Sequence, residues 1–321
     1  MGEFELIRNF FAAAPCAQAG EGVALGIGDD CALLDVPFGE QLAISTDTLV
    51  AGVHFADPCD PFLLGQRSLA VAASDLAAMG ATPLAFTLAL TLPAFDADWL
   101  QAYARGLNLM AQTCGLRLIG GDTTRGPLCL TLTVFGRVPT GRALTRSGAR
   151  PGDLLCVGGE LGNAAGALPL VLGQRSAQPM ISEPLLAHYW SPQPQLALGQ
   201  ALRGKATSAL DISDGLLADC GHIAAASRAG LVIELDRVPV SLALEEFLGD
   251  AGAQQAALSG GDDYVLAFTL PALELPTLLA DGWPIHVIGR VVEGQGVTLL
   301  DDEGRDITPA IRGYQHFAGP L

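Results

Sequence analysis

Lysine is nearly absent. Lys205 is the one lysine in 321 residues, and arginine supplies nearly all the remaining fixed positive charge. Seventeen basic residues face thirty-four acidic ones, a formal net charge of −17. That balance excludes nucleic acid as a partner, because a phosphate backbone demands clustered cations. Zinc-type cysteine pairs are missing too: none of the seven cysteines forms a C-x-x-C pair, and their number is odd. A disulfide framework or a zinc site is therefore not expected, and the thiols read as small buried hydrophobes in a reducing compartment. The first residues carry no basic run of a secretory leader, and the longest apolar stretch, residues 83–95, holds two prolines and is too short to cross a bilayer. The expectation is a soluble, cytoplasmic protein with no membrane partner.

Several nucleotide and catalytic signatures are also missing. Residues 199–206 nearly match G-x-x-x-x-G-K-S/T, but Ala206 replaces the magnesium-binding hydroxyl and the segment before it reads as helix, so it is a helix end with Gly204 beyond it. The glycine-rich turn at 158–162 lacks G-x-G-x-x-G, which argues against a dinucleotide; its backbone amides could still cradle phosphate at a helix start, and a tight strand–helix turn explains it equally well. No nucleophile elbow and no EF-hand loop occur.

What the chain has in plenty is glycine, 39 residues, and acidic residues in small-residue segments. Six such segments recur: Gly28-Asp29-Asp30, Ser45-Thr46-Asp47, Ser74-Asp75, Gly120-Gly121-Asp122, Asp211-Ile212-Ser213-Asp214-Gly215 and Gly260-Gly261-Asp262-Asp263. Taken singly, each reads as a solvated loop or a helix cap. Apolar strands precede three of them, so they are expected to be turns at strand ends on one sheet edge. Two like charges about 4 Å apart repel by roughly 4 kcal/mol at an effective dielectric of about 20. A converging set therefore needs divalent cations, and hard oxygen donors select magnesium, calcium or manganese. Magnesium with positions left for phosphate oxygens is the chemistry of phosphoryl transfer.

The length favours two domains. Periodicity predicts helices over 3–14, 61–78, 96–114, 163–172, 195–203 and from 215, and strands over 23–27, 41–46, 84–92, 116–119, 128–138, 154–157 and 206–211, with two or three more strands to follow. Residues 174–194 read as an irregular stretch. Turn-rich sequence at 139–152 marks the boundary, giving domains 1–138 and 139–321 of mixed α/β (α+β) class. His54 follows the second acidic segment, and Arg146 lies at the junction, where it could pair with phosphate or tie a loop.

In this order, the acidic segments together with His54, Ser74-Asp75-Leu76-Ala77-Ala78-Met79-Gly80, Leu144-Thr145-Arg146-Ser147-Gly148-Ala149 and Ser259-Gly260-Gly261-Asp262-Asp263-Tyr264 resemble the thiamine-monophosphate kinase family over nearly the whole chain. Single pieces are shared with aminoimidazole ribonucleotide synthetase, selenophosphate synthetase and a hydrogenase-maturation protein. The resemblance implies a two-domain aminoimidazole ribonucleotide synthetase-like fold that dimerises through its N-terminal sheets, with a C-terminal domain completing the active site. It implies ATP-dependent phosphorylation of thiamine monophosphate to thiamine diphosphate, the last step of that cofactor's synthesis. It places Asp30, Ser45, Thr46, Asp47, Asp75, Asp122, Asp211 and Asp214 on several magnesium ions. Gly121, Asp122, Arg146, Ser213 and Tyr103 would contact ATP, and His54, Asp262 and Tyr314 would lie by the thiamine substrate. Asp47, Asp122, Asp214 and Arg146 would carry the transfer. Two positions depart from the family habit: Asp262 stands where Glu is usual and Tyr314 where Trp is common, each keeping its chemical type. An aromatic face suits a cationic thiazolium. Two rivals stand beside this reading. One is another ATP-using synthetase of the same architecture, of which the selenophosphate type is disfavoured because Cys16 has no nearby lysine. The other is a metal- or nucleotide-binding protein without catalysis.

Overall fold

The computed structural model describes residues 3–18, 20–27, 31–310 and 313. The chain divides into two compact units, Met1–Leu76 with Ala81–Ala143, and Ala77–Gly80 with Leu144–Leu321.

The first unit begins with α1 (Glu3–Leu6), which widens into a π turn over Ile7–Ala12, and a small antiparallel pair, β1 (Val23–Leu25) and β2 (Leu33–Leu34). Its main sheet has the order β3-β6-β4-β5, built from β3 (Glu40–Val50), β4 (Thr82–Leu92), β5 (Arg117–Arg125) and β6 (Cys129–Pro139). The β4–β5 pair is parallel and the other pairs are antiparallel. Alternation along β4 and β6 buries Phe86, Leu88, Leu90, Leu130, Leu132 and Val134 on one face. Helices α2 (Pro61–Ala78) and α3 (Ala97–Cys114) approach each other backbone to backbone. A Cβ on Gly65 would sit 2.3 Å from the Tyr103 carbonyl, and one on Gly106 would sit 1.9 Å from that of Phe62, so only glycine fits at either place. Asp96 caps α3 by accepting from the amides of Asp98 and Trp99.

The opposite face of this sheet is covered at one end, where Val23 of β1 and Leu34 of β2 pack on Leu84, Ala85 and Ile119, and is threonine-rich and open at the other. Thr46 pairs with Thr133 and Thr48 with Thr131 across β3 and β6, each at 2.9 Å, and Ile44 on the same side is 59% exposed.

The second unit holds a six-stranded sheet in the order β12-β9-β11-β7-β10-β8. Its strands are β7 (Leu154–Val157), β8 (Ser208–Asp211), β9 (Gly230–Glu234), β10 (Leu266–Leu270), β11 (His286–Val292) and β12 (Gly296–Leu300). All pairs are antiparallel except β9–β12. The helices are α4 (Asn163–Val171), α5 (Pro179–Trp190), α6 (Leu196–Leu202), α7 (Leu216–Ser227), α8 (Leu242–Leu248), α9 (Asp250–Ser259) and α10 (Leu275–Ala280). Both sheet faces are covered, which is why β10 is buried at every position. One core joins Leu155, Val157 and Ala267 to Leu216, Leu217, Cys220 and Ile223 of α7. The other joins Cys156, Leu266 and Phe268 to Leu198 and Leu202 of α6, Leu278 of α10, and Ala77 and Ala78 from the end of α2.

Three expectations about local structure need correction. Ser45-Thr46-Asp47 and Gly120-Gly121-Asp122 are not turns: the first lies inside β3 and the second inside β5. The β-branched threonines extend β3 past the acidic residue by pairing across to β6. Gly121, with φ +150°, lets β5 continue where a Cβ would meet the Leu88 carbonyl at 1.9 Å. The stretch 174–194 is not irregular throughout, since it contains α5; Arg175 ties its start down by donating to the Phe247 carbonyl at 2.7 Å and lying over that ring. After α7 the chain adds four strands rather than two or three, with α8 and α9 between them. No helix among the described residues is long and apolar enough to cross a membrane.

Candidate active site

In the first unit the strand period decides which oxygens face together. Ser45 and Asp47, two apart on β3, share one face, and the Ser45 hydroxyl donates to the Asp75 carboxylate of α2. Thr46 points to the opposite face, where its hydroxyl pairs with Thr133, so its side chain does not join the others. Asp122 is exposed on β5, and its register through Ala89 to Thr131 and Thr48 places it on the face of Thr46, opposite Ser45 and Asp47. His54 folds back over the end of β3, and its Nδ1 accepts from the Val50 amide at 3.0 Å.

Tyr103, expected beside a nucleotide, belongs to the core of the first unit instead. It is fully buried, stacked on Trp99 at 5.1 Å, with its hydroxyl 3.1 Å from that of Ser68. Burial pushes its ionisation far up, and α3 turns it towards α2 rather than outwards. Asp30 and Tyr314 lie outside the described residues.

In the second unit, β8 ends at Asp211, which is buried, and the chain turns through residues 212–215 into α7. Ser213 is exposed and Asp214 half-buried. The amides of Ser213, Asp214 and Gly215 all donate to one oxygen of Asp219, at 3.0, 3.0 and 3.1 Å. The carbonyls on this turn are occupied as well. Ser213 accepts from the Asp262 amide and Ile212 from the Tyr264 amide, both at 2.8 Å. Gly261, with φ +72°, passes so close that a Cβ would lie 2.5 Å from the Ser213 carbonyl oxygen. The turn expected at the metal end and the turn expected at the substrate end are thus laced together through their backbones.

Asp262 and Tyr264 both hold left-handed backbone, φ +62° and +52°, which is uncommon outside glycine. The Tyr264 hydroxyl donates to Asp262 at 2.9 Å and fixes the carboxylate's position. Between them Asp263 points inward, and both its oxygens accept the Gly162 amide, at 2.8 and 3.0 Å. That contact fastens the glycine-rich turn before α4 to the same assembly. Burial holds the Asp263 carboxyl well above the usual range. Burial, with the charge of Asp214 as a smaller cause, raises Asp219 to about 6 against the three amide bonds that oppose it.

At the far end of α7, the Ser227 hydroxyl donates to the Arg146 carbonyl and accepts the amides of Gly148 and Ala149, all at 3.1 Å. Arg146 itself is exposed. The same helix therefore organises the Asp214 turn at one end and the Arg146 loop at the other.

The donor sets fit a hard divalent cation. Ser45, Asp47 and Asp75 offer oxygen alone, as magnesium prefers. Ligand atoms of Asp214, Asp219 and His222 also lie within 4.8 Å of one another, but one oxygen of Asp219 is already taken by the three turn amides. Asp219 and His222 were not singled out from sequence, and Asp263 was quoted only as part of its acidic segment with no role of its own. Asp219 did carry a signal, an acid in the first turn of a helix that follows a glycine.

Both halves of the chain match known family descriptions: AIR synthase related protein, N-terminal domain, over residues 28–138, and the C-terminal domain of the same family over residues 150–302. The two matches define the chain as an AIR synthase related protein in both halves. Within it, a thiamine-monophosphate kinase of Escherichia coli (strain K12) is 46% identical over 325 residues, covering 99% of each chain. A solved thiamine-monophosphate kinase from Stenotrophomonas maltophilia K279a is 43% identical, with a TM-score of 0.85 over 93% of this chain and 96% of that one. The AaThiL complex with AMPPCP and TMP is 28% identical, with a TM-score of 0.79 over 88% and 89%. The chain belongs to the thiamine-monophosphate kinase family.

Proposed function

We propose that this protein transfers the γ-phosphoryl group of ATP to thiamine monophosphate, giving thiamine diphosphate and ADP. One observation carries the proposal: the chain matches thiamine-monophosphate kinases from end to end, and its acidic segments bring hard oxygen donors together, as at Ser45 and Asp75.

In the first unit Ser45, Asp47 and Asp75, with Asp30, would hold magnesium, and Asp122 would do so from the other face of the sheet; in the second, Asp211 and Asp214 would do so. Magnesium there would offset the repulsion between two anionic substrates and the charge on the transferring group. The acceptor phosphate has a second pKa of about 6 and is largely ionised near neutral pH, so the chain needs no strong general base. Transfer is then direct and in line, and Asp47, Asp122, Asp214 and Arg146 are the residues assigned to it. Arg146 supplies the fixed positive charge that lysine, present once in the chain, does not. Gly121 and Ser213 bring backbone and hydroxyl to the ATP phosphates. His54 and Asp262, held by Tyr264, serve thiamine monophosphate, with Tyr314 as the aromatic partner of its ring.

The open threonine-rich face of the first unit's sheet, flanked by exposed Leu42 and Ile44, supports pairing with a second copy. We assign nucleotide binding and dimerisation to residues 1–138 and the remaining site residues to 139–321. We place the reaction in the cytoplasm, where ATP is supplied.

The test is ADP release from ATP and magnesium with a panel of acceptors. Release with thiamine monophosphate, and none with purine intermediates, is expected. Release with a purine intermediate alone would assign the chain to another synthetase of the class.

A further inference from the structure

We infer that Asp219 is a positioning residue that fills the amide nest of the 213–215 turn and so makes that turn a cation site rather than an anion site. The inference rests on the reading that Asp214 and Ser213 serve magnesium and ATP.

Three successive amides converging on one point form a concave donor nest, and such nests ordinarily bind phosphate or another anion. Here the point is already occupied. One oxygen of Asp219 takes all three N–H groups, and the side chain is 4% exposed. Helix α7 lacks a side-chain cap from its own N-cap, Gly215, so Asp219 reaches back from the first turn to do that work. The carbonyls of Ile212 and Ser213 are engaged by the 262–264 turn. With these backbone groups satisfied inwardly, the turn presents the side-chain oxygens of Ser213 and Asp214, which suit a hard cation. The arrangement differs from a P-loop, where backbone amides hold the phosphates themselves.

Emptying the nest would reverse its preference. Asp219→Ala leaves three orphaned amides that gather an anion and lets Asp214 drift. Asp219→Asn keeps an acceptor oxygen of the same reach. If Asp219 acts through geometry, the alanine variant raises the magnesium concentration for half-maximal activity about tenfold or more, the equivalent of one charge-assisted hydrogen bond. The asparagine variant stays within about threefold of wild type by the same reasoning. Formate, a free carboxylate small enough for the vacated space, restores the alanine variant, and sulfate inhibits it more than it inhibits wild type.

Hydrogen exchange at the amides of residues 213–215 reads the same hold without any turnover. Protection is lost in Asp219→Ala and kept in Asp219→Asn. Equal magnesium constants in all three proteins, no formate rescue and unchanged exchange would overturn the inference. A wild-type protein inactive with thiamine monophosphate would instead overturn the functional reading, while the exchange comparison would still decide the role of Asp219.

Discussion

Gly261→Ala separates the lacing of the two turns from ordinary loop strain. Gly261 has φ +72°, and an added Cβ would lie 2.5 Å from the Ser213 carbonyl oxygen and 3.2 Å from the Asp214 carbonyl carbon, both backbone atoms that cannot rotate away. Left-handed backbone costs an L-residue roughly 1–2 kcal/mol. Relieving the clash stretches the bond from the Asp262 amide to Ser213, worth about 1 kcal/mol net. The sum, about 2–3 kcal/mol, falls on the arrangement that sets Asp262 against Asp214. At about 1.4 kcal/mol per tenfold, kcat/KM for thiamine monophosphate should fall roughly 30- to 100-fold if that arrangement governs catalysis. Gly282→Ala is the control: φ is +85° but nothing lies within 4 Å of the added carbon, so it should cost about 1 kcal/mol of stability from strain alone and leave kinetics unchanged. Urea denaturation and steady-state kinetics on both variants decide the matter. A Gly261→Ala protein no less stable than Gly282→Ala, with wild-type kcat/KM, would refute the lacing argument.

Asp47→Asn and Asp214→Asn should each lower turnover by about a hundredfold or more, the scale for losing one preorganised electrostatic group, with unchanged circular dichroism; near-normal turnover in both would sink the magnesium assignment. Asp262→Ala should raise KM for thiamine monophosphate while leaving KM for ATP within about twofold, since removing a ground-state contact acts on its own substrate. Asp263→Asn should gain stability relative to wild type as pH rises from about 4.5 to 7.5. The folded carboxyl's pKa is raised by burial above its unfolded value of 3.8, so the folded state holds the proton more tightly and this group's contribution falls as pH climbs; a melting-temperature difference that shrinks with pH would contradict it. Burial raises Cys114 and Cys156 to about 12, so iodoacetamide at about pH 8 should label exposed Cys31 and spare both until denaturant is added; rapid labelling of either in the native protein would count against the packing described.

Much of this fold was legible because its patterns are local. Helices α2 and α3 announce themselves through length and an aspartate cap, and β7 and β8 through short apolar runs. The acidic residues were legible as a recurring set, but their setting was not. Ser45-Thr46-Asp47 looks like a turn because small polar residues favour turns, and only pairing with Thr131 and Thr133 across the sheet shows it as mid-strand. Tyr103 could not be separated from a surface aromatic, because its burial depends on how closely Gly65 and Gly106 bring two helices together. Asp262 and Asp263 are neighbours of identical chemistry, yet one is half-buried beside Tyr264 and the other is sealed against Gly162. The left-handed φ at residues 262 and 264 decides which is which, and no propensity predicts it. Asp219 was passed over for a similar reason: its three partners are backbone amides, which leave no trace in side-chain spacing.

The most direct test follows the phosphorus atom. Incubating the protein with magnesium, thiamine monophosphate and γ-labelled ATP should place the label in the terminal phosphate of thiamine diphosphate, in step with ADP, and leave none on the protein. Label retained on the protein would contradict direct transfer, and label released only as inorganic phosphate would contradict the kinase itself.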